Sequence, residues 1–201
     1  MIDLKGKTAV IFGLRGSGKS TMTHYLASEF GKLAFIYDTL GECPPQVKYA
    51  SYTPKERVPP ESIKELENII LLLIKSSKYR LIGIDEANRY CPSKPAPLPP
   101  VIANLNDQCR HYGITALYIA RRPCQLNQDL TELSDYMFIF HLKGKADISY
   151  LENISQGLGD AVLRLDNHRF IVVNPDRSYK EYPALQIDNE WLNRAKSLIP
   201  K

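Results

Sequence analysis

Residues 13–20 read Gly-Leu-Arg-Gly-Ser-Gly-Lys-Ser, and this octapeptide restricts the chain more than any other feature. It matches G-x-x-x-x-G-K-[ST] at every fixed position. Thr8 to Phe12 runs into it as a continuous apolar stretch of β-formers. Lys19 to about Phe30 follows as a predicted helix, with Gly31 suited to its C′ position. Strand, glycine-rich turn and helix in that order make a phosphate cradle. The glycines let backbone N–H groups point inward at phosphate oxygens, and the helix N-terminus adds the positive end of its dipole. Gly13, Leu14, Arg15, Gly16, Ser17, Gly18, Lys19, Ser20 and Thr21 are therefore the expected nucleotide-binding residues. Lys19 is expected to reach the β- and γ-phosphates and Ser20 to ligate Mg²⁺.

A second pattern supports the first. Leu81-Ile82-Gly83-Ile84 is an apolar strand that ends in Asp85-Glu86. Asp85 is expected to hold Mg²⁺ as a Walker B aspartate, beside Ser20. Glu86 projects to the other side of the strand axis, where it can take a proton from an attacking water or orient it. A kinase hands phosphate to a bound acceptor and needs no such carboxylate, so the adjacent pair favours hydrolysis of a nucleoside triphosphate. P-loop ATPases with a glutamate here generally insert an extra strand between the P-loop strand and the Walker B strand. Leu33 to Tyr37 lies between the two in sequence, but its place in the sheet is open.

Around these motifs, elements alternate. Helix is predicted over Glu61–Ser76, where Ile63, Leu66, Ile69, Ile70 and Leu73 fall at helical spacing, over about Val101–Tyr112 and near Leu130. Strands are predicted at Leu33–Tyr37, Leu81–Ile84, Thr115–Ile119 and Met137–His141. Unalternating apolar strands are buried on both faces, which predicts an α/β fold with a mainly parallel sheet and helices on both sides. Two Pro-rich stretches, Pro44–Pro60 and Cys91–Pro100, can be neither helix nor central strand and read as surface connections. Cys91–Pro100 could instead line a pore or touch a partner. Past Lys143 the pattern predicts a helix over about Asp147–Ile154. Ala161–Leu165 and Arg169–Val173 then read as an antiparallel hairpin about Asp166-Asn167-His168. Asp188–Leu198 reads as a surface helix with Trp191 inward. The 201 residues suit one domain, with a core over about 8–141 and a C-terminal helix, hairpin and tail over about 145–201.

Composition narrows the setting. Hydrophobic residues make up 44% and charged residues 24%, which excludes wholesale disorder. The longest apolar run, Ile69–Ile74, is far short of the roughly 20 residues that span a bilayer. Charges interrupt the N-terminus, so it is no signal peptide, and a soluble cytoplasmic protein is expected. Cys43, Cys91, Cys109 and Cys124 form no C-x-x-C pair, and neither a disulfide nor a zinc site is expected. A net charge of +4 permits a polyanionic partner without demanding one. Tyr49 and Tyr52 sit in no basic cluster and are expected to pack locally.

Three arginines complete the set. Arg110 precedes the Thr115 strand, and Arg121 and Arg122 follow it, at an end that faces the ligand crevice of a parallel sheet. Gly13–Ser20, Ile84-Asp85-Glu86-Ala87, Arg110-x-x-Gly113-Ile114 and Arg122-Pro123 together resemble the FtsK–HerA group of P-loop ATPases, which are ring-forming DNA pumps. In size the chain is most similar to the genome-packaging ATPases of icosahedral viruses with internal membranes. The resemblance covers about Thr8–Val173. It implies a RecA-like P-loop NTPase fold, a homo-oligomeric ring acting on double-stranded DNA, and Arg110 as the finger that reaches a neighbouring subunit's nucleotide. It also implies a polar sensor at the end of the fourth strand. The family usually has Gln there, and this chain has Arg121. Capsid or membrane-vertex proteins would be further partners, met by the chain's own loops. A small nucleotide or metabolite kinase, and an assembly factor that binds ATP without pumping DNA, are the alternative readings.

Overall fold

The structure is a computed structural model and describes residues 3–44 and 47–186. Its organising element is β1 (Thr8–Phe12), buried at all five positions because both of its faces are covered. β5 (Thr115–Ala120) and β6 (Tyr136–Phe140) pair with it in parallel, one on each side. Beyond β5 lie β4 (Leu81–Ile84), β2 (Ala34–Tyr37) and β3 (Ala50–Tyr52), all parallel. Beyond β6 the sheet turns antiparallel through β7 (Phe170–Val173) and β8 (Tyr179–Tyr182). The order is β3-β2-β4-β5-β1-β6-β7-β8.

Alternate residues of each strand serve different layers. Ala9, Ile11, Leu117, Ile119, Phe138, Phe140, Phe170 and Val172 pack under Met22 and Leu26 of α1 (Lys19–Phe30). Val10, Phe12, Ile82, Ile84, Ala116, Tyr118, Met137, Ile139, Ile171 and Val173 face the opposite layer. That layer contains α2 (Glu61–Ser76), α3 (Pro100–Tyr112), α4 (Gln128–Glu132), α5 (Lys145–Ile154) and α6 (Leu158–Leu163). The expected α/β architecture, with helices on both faces and a C-terminal antiparallel hairpin, is present.

Four details differ from the sequence reading or complete it. The strand between β1 and β4 is β5, whereas Ala34–Tyr37 lies on the far side of β4. Ala161–Leu165 is not a strand. It falls across the end of α6, where Leu158, Val162 and Leu165 are buried at helical spacing and Leu163 and Arg164 are exposed. The hairpin partner of β7 is instead β8, which exposes Lys180 and Glu181, turned at Asn174–Ser178 with Asn174 N–H donating to Ser178 O at 2.8 Å. The Pro44–Pro60 stretch contains the short strand β3, tolerated because it is the sheet edge. Asp188–Leu198 lies outside the described residues.

Loop Cys91–Pro100 is fastened to the start of α4. Asn127 Nδ2 donates to Pro92 O at 3.3 Å and Ala96 O at 3.0 Å, and Lys94 Nζ meets Asp129 Oδ1 at 2.7 Å. Tyr49 and Tyr52 pack locally, Tyr49 buried beside Cys43 and His24 and Tyr52 donating to Glu65 at 2.6 Å. The end of β5 is tied to α5 by Arg122 Nε on Asp147 Oδ2 at 2.8 Å, with Asp147 only 1% exposed and Arg122 38%. Cys124 Sγ donates to Asp147 Oδ1 at 2.8 Å. Removing the cation strands a buried carboxylate, a costly change. Arg122→Ala is therefore expected to lower unfolding free energy by about 3 kcal/mol in urea denaturation. Adding Asp147→Asn should recover part of that loss, and an unchanged midpoint for Arg122→Ala would show that the pair is not a structural tie.

Candidate nucleotide site

The parallel strands bring several loops to one edge. Phe12 of β1 is in register with Ala120 of β5 and with Ile139 of β6, and Ile84 of β4 with Tyr118 of β5. Gly13–Ser20, Asp85-Glu86 and Arg121-Arg122 thus leave the sheet together. Backbone space explains the glycine pattern. A Cβ on Gly13 would lie 2.4 Å from Ser17 Oγ and 2.7 Å from Phe140 Cβ. Gly18 sits at φ 113°, where side chains are strained. No side chain caps the start of α1 and no acidic residue stands in its first turn, so its first N–H groups face the loop interior without a carboxylate competitor. Lys19 Nζ arches back to Leu14 O at 3.0 Å. Burial pushes the Lys19 ammonium below its ordinary range, and Glu86 and then Asp85 pull in the other direction. Arg15, Gly16 and Ser20 are exposed, and Leu14 and Thr21 half-buried, so these groups open to solvent at the same mouth.

Asp85 is held by its backbone. Its N–H donates to Tyr37 O at 3.0 Å, and its carbonyl accepts from Thr39 Oγ1 at 2.6 Å. Burial, and then the Glu86 charge, push its carboxyl up to about 6. Glu86 sits in the left-handed region at φ 48° and is 8% exposed. That backbone is unusual for a residue with a side chain and recurs at functional sites. Arg121 grips it from the end of β5: Nε and Nη2 each lie 2.8 Å from Glu86 Oε1.

The structure gathers the expected loop residues 13–21, Asp85, Glu86 and Arg121. It does not gather Arg122, whose Nε is committed to Asp147 on α5. Arg110 is at the other end of the sheet: it is exposed in the last turn of α3, and its Cα stands 3.6 Å from where a Gly6 Cβ would be, before β1 begins. The five residues of β1 separate it from the phosphate loop by about 16 Å. Sequence reasoning missed three residues. Asp38 and Thr39 follow β2 at the same edge, and Asp38 accepts N–H groups of Gly41, Glu42 and Cys43 at 2.8–3.0 Å. The rule applied to Asp85, a carboxylate just past a buried parallel strand, would have found Asp38. His168, whose Nδ1 is 3.3 Å from Ser17 O, lines a cavity of about 170 Å³ with Gly18, Thr21, Phe140, Ala184 and Leu185. No local signal marks it, because it stands just before β7 and its neighbours Ser17, Gly18, Thr21 and Phe140 are distant in sequence.

Solved structures share this fold. The chain matches the genome-packaging NTPase B204 of Sulfolobus turreted icosahedral virus 2 in complex with ATPγS at a TM-score of 0.75 and 18% identity, covering 92% of this chain and 100% of that one. The complex of B204 with AMPPCP matches at a TM-score of 0.75 and 16% identity, covering 90% and 99%. B204 of Sulfolobus turreted icosahedral virus, described as a DNA-packaging ATPase, matches at 0.74 and 18%, covering 92% and 100%. These neighbours are proteins of the kind to which the sequence resemblance points. No family model and no curated protein matches the sequence.

The raised Asp85 carboxyl has a consequence for stability. The folded chain takes up this proton near pH 6, whereas an unfolded aspartate waits until about pH 4. Its contribution therefore rises as pH falls through 6 and levels off below about 4. At pH 7 the buried anion opposes folding. Asp85→Asn is expected to stabilise the nucleotide-free protein at pH 7 by on the order of 2 kcal/mol and to flatten its stability between pH 6 and 4. A destabilised Asp85→Asn protein would contradict this account.

Proposed function

We propose that the chain is an ATP-hydrolysing motor that moves double-stranded DNA, as in the packaging of a viral genome into a capsid. The observation that carries this reading is the position of Glu86, a buried carboxylate two strands from the phosphate loop with β5 between. Two strand spacings are about 10 Å, enough for a γ-phosphate and one water between loop and carboxylate. Backbone N–H groups of residues 13–21 and the Lys19 ammonium bind the phosphates. Ser20 and Asp85 suit Mg²⁺, since they offer a hydroxyl and a carboxylate, hard oxygens that phosphate oxygens and water complete. That ion, when bound, neutralises charge on the phosphates. Glu86 takes a proton from the water, whose oxygen bonds to the γ-phosphorus as the bond to the β–γ bridging oxygen breaks, leaving ADP and phosphate. Phe140, His168 and Leu185, which line one cavity with Gly18 and Thr21, suit the apolar faces of the nucleobase.

The B204 neighbours are named for genome or DNA packaging, and this chain spans their whole length. That parallel supports the DNA substrate and the viral setting. A pump must slide, so it grips phosphates rather than reading bases. On this reading Arg110, on the edge away from its own phosphate loop, serves a neighbour's nucleotide in a homo-oligomeric ring. Docking to a capsid or vertex protein falls to exposed loops such as Cys91–Pro100.

The deciding assay is ATP turnover without any acceptor, with and without duplex DNA. Stimulation by DNA is expected, and phosphate transfer to an added nucleotide or metabolite in place of hydrolysis would favour a kinase. Lys19→Ala should abolish turnover. Glu86→Gln should retain nucleotide and lose about 100-fold or more in kcat, and hydrolysis by Glu86→Gln at the parent rate would remove Glu86 from the mechanism. Binding to DNA should be indifferent to sequence and fall by about 10³ or more between 50 and 200 mM salt if six or more phosphates are held.

Arg110 is tested by mixing. Arg110→Ala should assemble and bind ATP yet hydrolyse poorly, since fingers of this kind are worth about 10³–10⁵ in rate. Combined with Lys19→Ala in mixed rings, some interfaces pair an intact loop with an intact finger, and partial activity should return. Mixed rings that form and stay inactive would remove Arg110 as the trans finger and point to Arg121 or Arg122, or to a finger acting within its own subunit.

A further inference from the structure

We propose that Arg121 is a positioning residue that holds Glu86 closed, and that the γ-phosphate of a bound nucleotide opens this latch. The inference rests on the nucleotide reading above and adds a control to it.

Arg121 leaves β5 directly after Ala120, and Ala120 is in register with Phe12, the last residue before the phosphate loop. β5 runs between β1 and β4, so one guanidinium has the phosphate loop on one side and Glu86 on the other. It is turned to Glu86, with Nε and Nη2 both 2.8 Å from Oε1. Both charges reach Lys19, Glu86 raising its proton affinity and Arg121 lowering it, while burial lowers it most. The partners differ in freedom: the Arg121 side chain is 49% exposed and that of Glu86 10%. Glu86 stays where the fold puts it, and Arg121 can swing.

A carboxylate oxygen that accepts two guanidinium N–H groups has less to offer a water, so the closed pair withholds the base. A terminal phosphate beside Lys19 competes for the same guanidinium, whose planar fork suits phosphate oxygens as well as carboxylate. ADP lacks that group and leaves the pair closed. An intact triphosphate draws Arg121 over and frees Glu86 at the moment there is a γ-phosphorus to attack. Idle activation of water in the empty or product-bound subunit is thereby suppressed.

The side-chain Nε–H resonance of Arg121, assigned by its disappearance in Arg121→Lys, reports the latch directly. In the nucleotide-free and ADP-bound protein, Glu86→Gln should shift this resonance. With AMPPCP bound the resonance should move, and Glu86→Gln should no longer affect it. Binding supplies a second readout: Arg121→Gln should weaken AMPPCP about tenfold while ADP affinity changes less than about twofold. A resonance that still responds to Glu86→Gln with AMPPCP bound would overturn the latch and leave the ATPase reading standing. A parent protein that binds neither nucleotide would overturn both.

Discussion

The parallel pairing of β1 with β5 on one side and β6 on the other is the constraint on which the site depends. It buries Thr8–Phe12 entirely and fixes Phe12, Ala120 and Ile139 in one row. Whatever follows those residues must emerge at one edge. Gly13 then has Phe140 Cβ against it at a distance that excludes any side chain, so the loop is shaped by the neighbouring strand as well as by its own glycines. A register slip of one residue would exchange the two buried faces and scatter the edge. The hydrophobic layers on both sides of the sheet thus set the geometry of groups that themselves contribute nothing to burial.

Charge at that edge is arranged at a cost. Asp38, Asp85 and Glu86 lie close enough that the first and last both raise the proton affinity of Asp85. Lys19 is desolvated beside them and Arg121 closes on Glu86. The loop after β2 supplies restraints that keep this assembly in place: Thr39 fastens the Asp85 carbonyl, and Asp38 organises the turn over residues 41–43. Arg122 and Asp147 form a separate pair one residue along, because consecutive residues leaving a strand point to opposite layers. Adjacent arginines in the sequence therefore do different work, one at the nucleotide edge and one locking α5.

Legibility in the sequence followed the range of the interactions. Residues 13–20 and 81–86 were readable because a local pattern, apolar strand then glycine turn or carboxylate pair, carries the chemistry within a few positions. Strand order was not, since Ala34–Tyr37 and Thr115–Ala120 are both short apolar runs, and their places beside β4 rest on pairings between residues far apart in sequence. Ala161–Leu165 misled because five residues rich in apolar side chains fit a strand or the end of a helix equally, and contacts with α5 select the helix. The edge strand Ala50–Tyr52 hid among prolines that exclude only central strands. His168 reaches Ser17 across 151 positions, a distance over which no spacing rule speaks.

The two ends of the sheet carry different parts of the proposed reaction. Loop, carboxylates and Arg121 crowd the C-terminal edge, and Arg110 stands beside Gly6 at the N-terminal edge. On the proposed motor reading, the Arg110 edge of one subunit meets the nucleotide edge of the next, head to tail. Such a heterologous contact does not close on itself in a pair, and a ring is the closed form that satisfies every copy. On the latch reading, each subunit holds its own Glu86 in check through Arg121, while its neighbour supplies the second cation through Arg110. Hydrolysis then requires a triphosphate to open the pair and an adjoining subunit to complete the charge. Those two conditions tie turnover to assembly, which a motor on DNA needs and a solitary phosphatase does not.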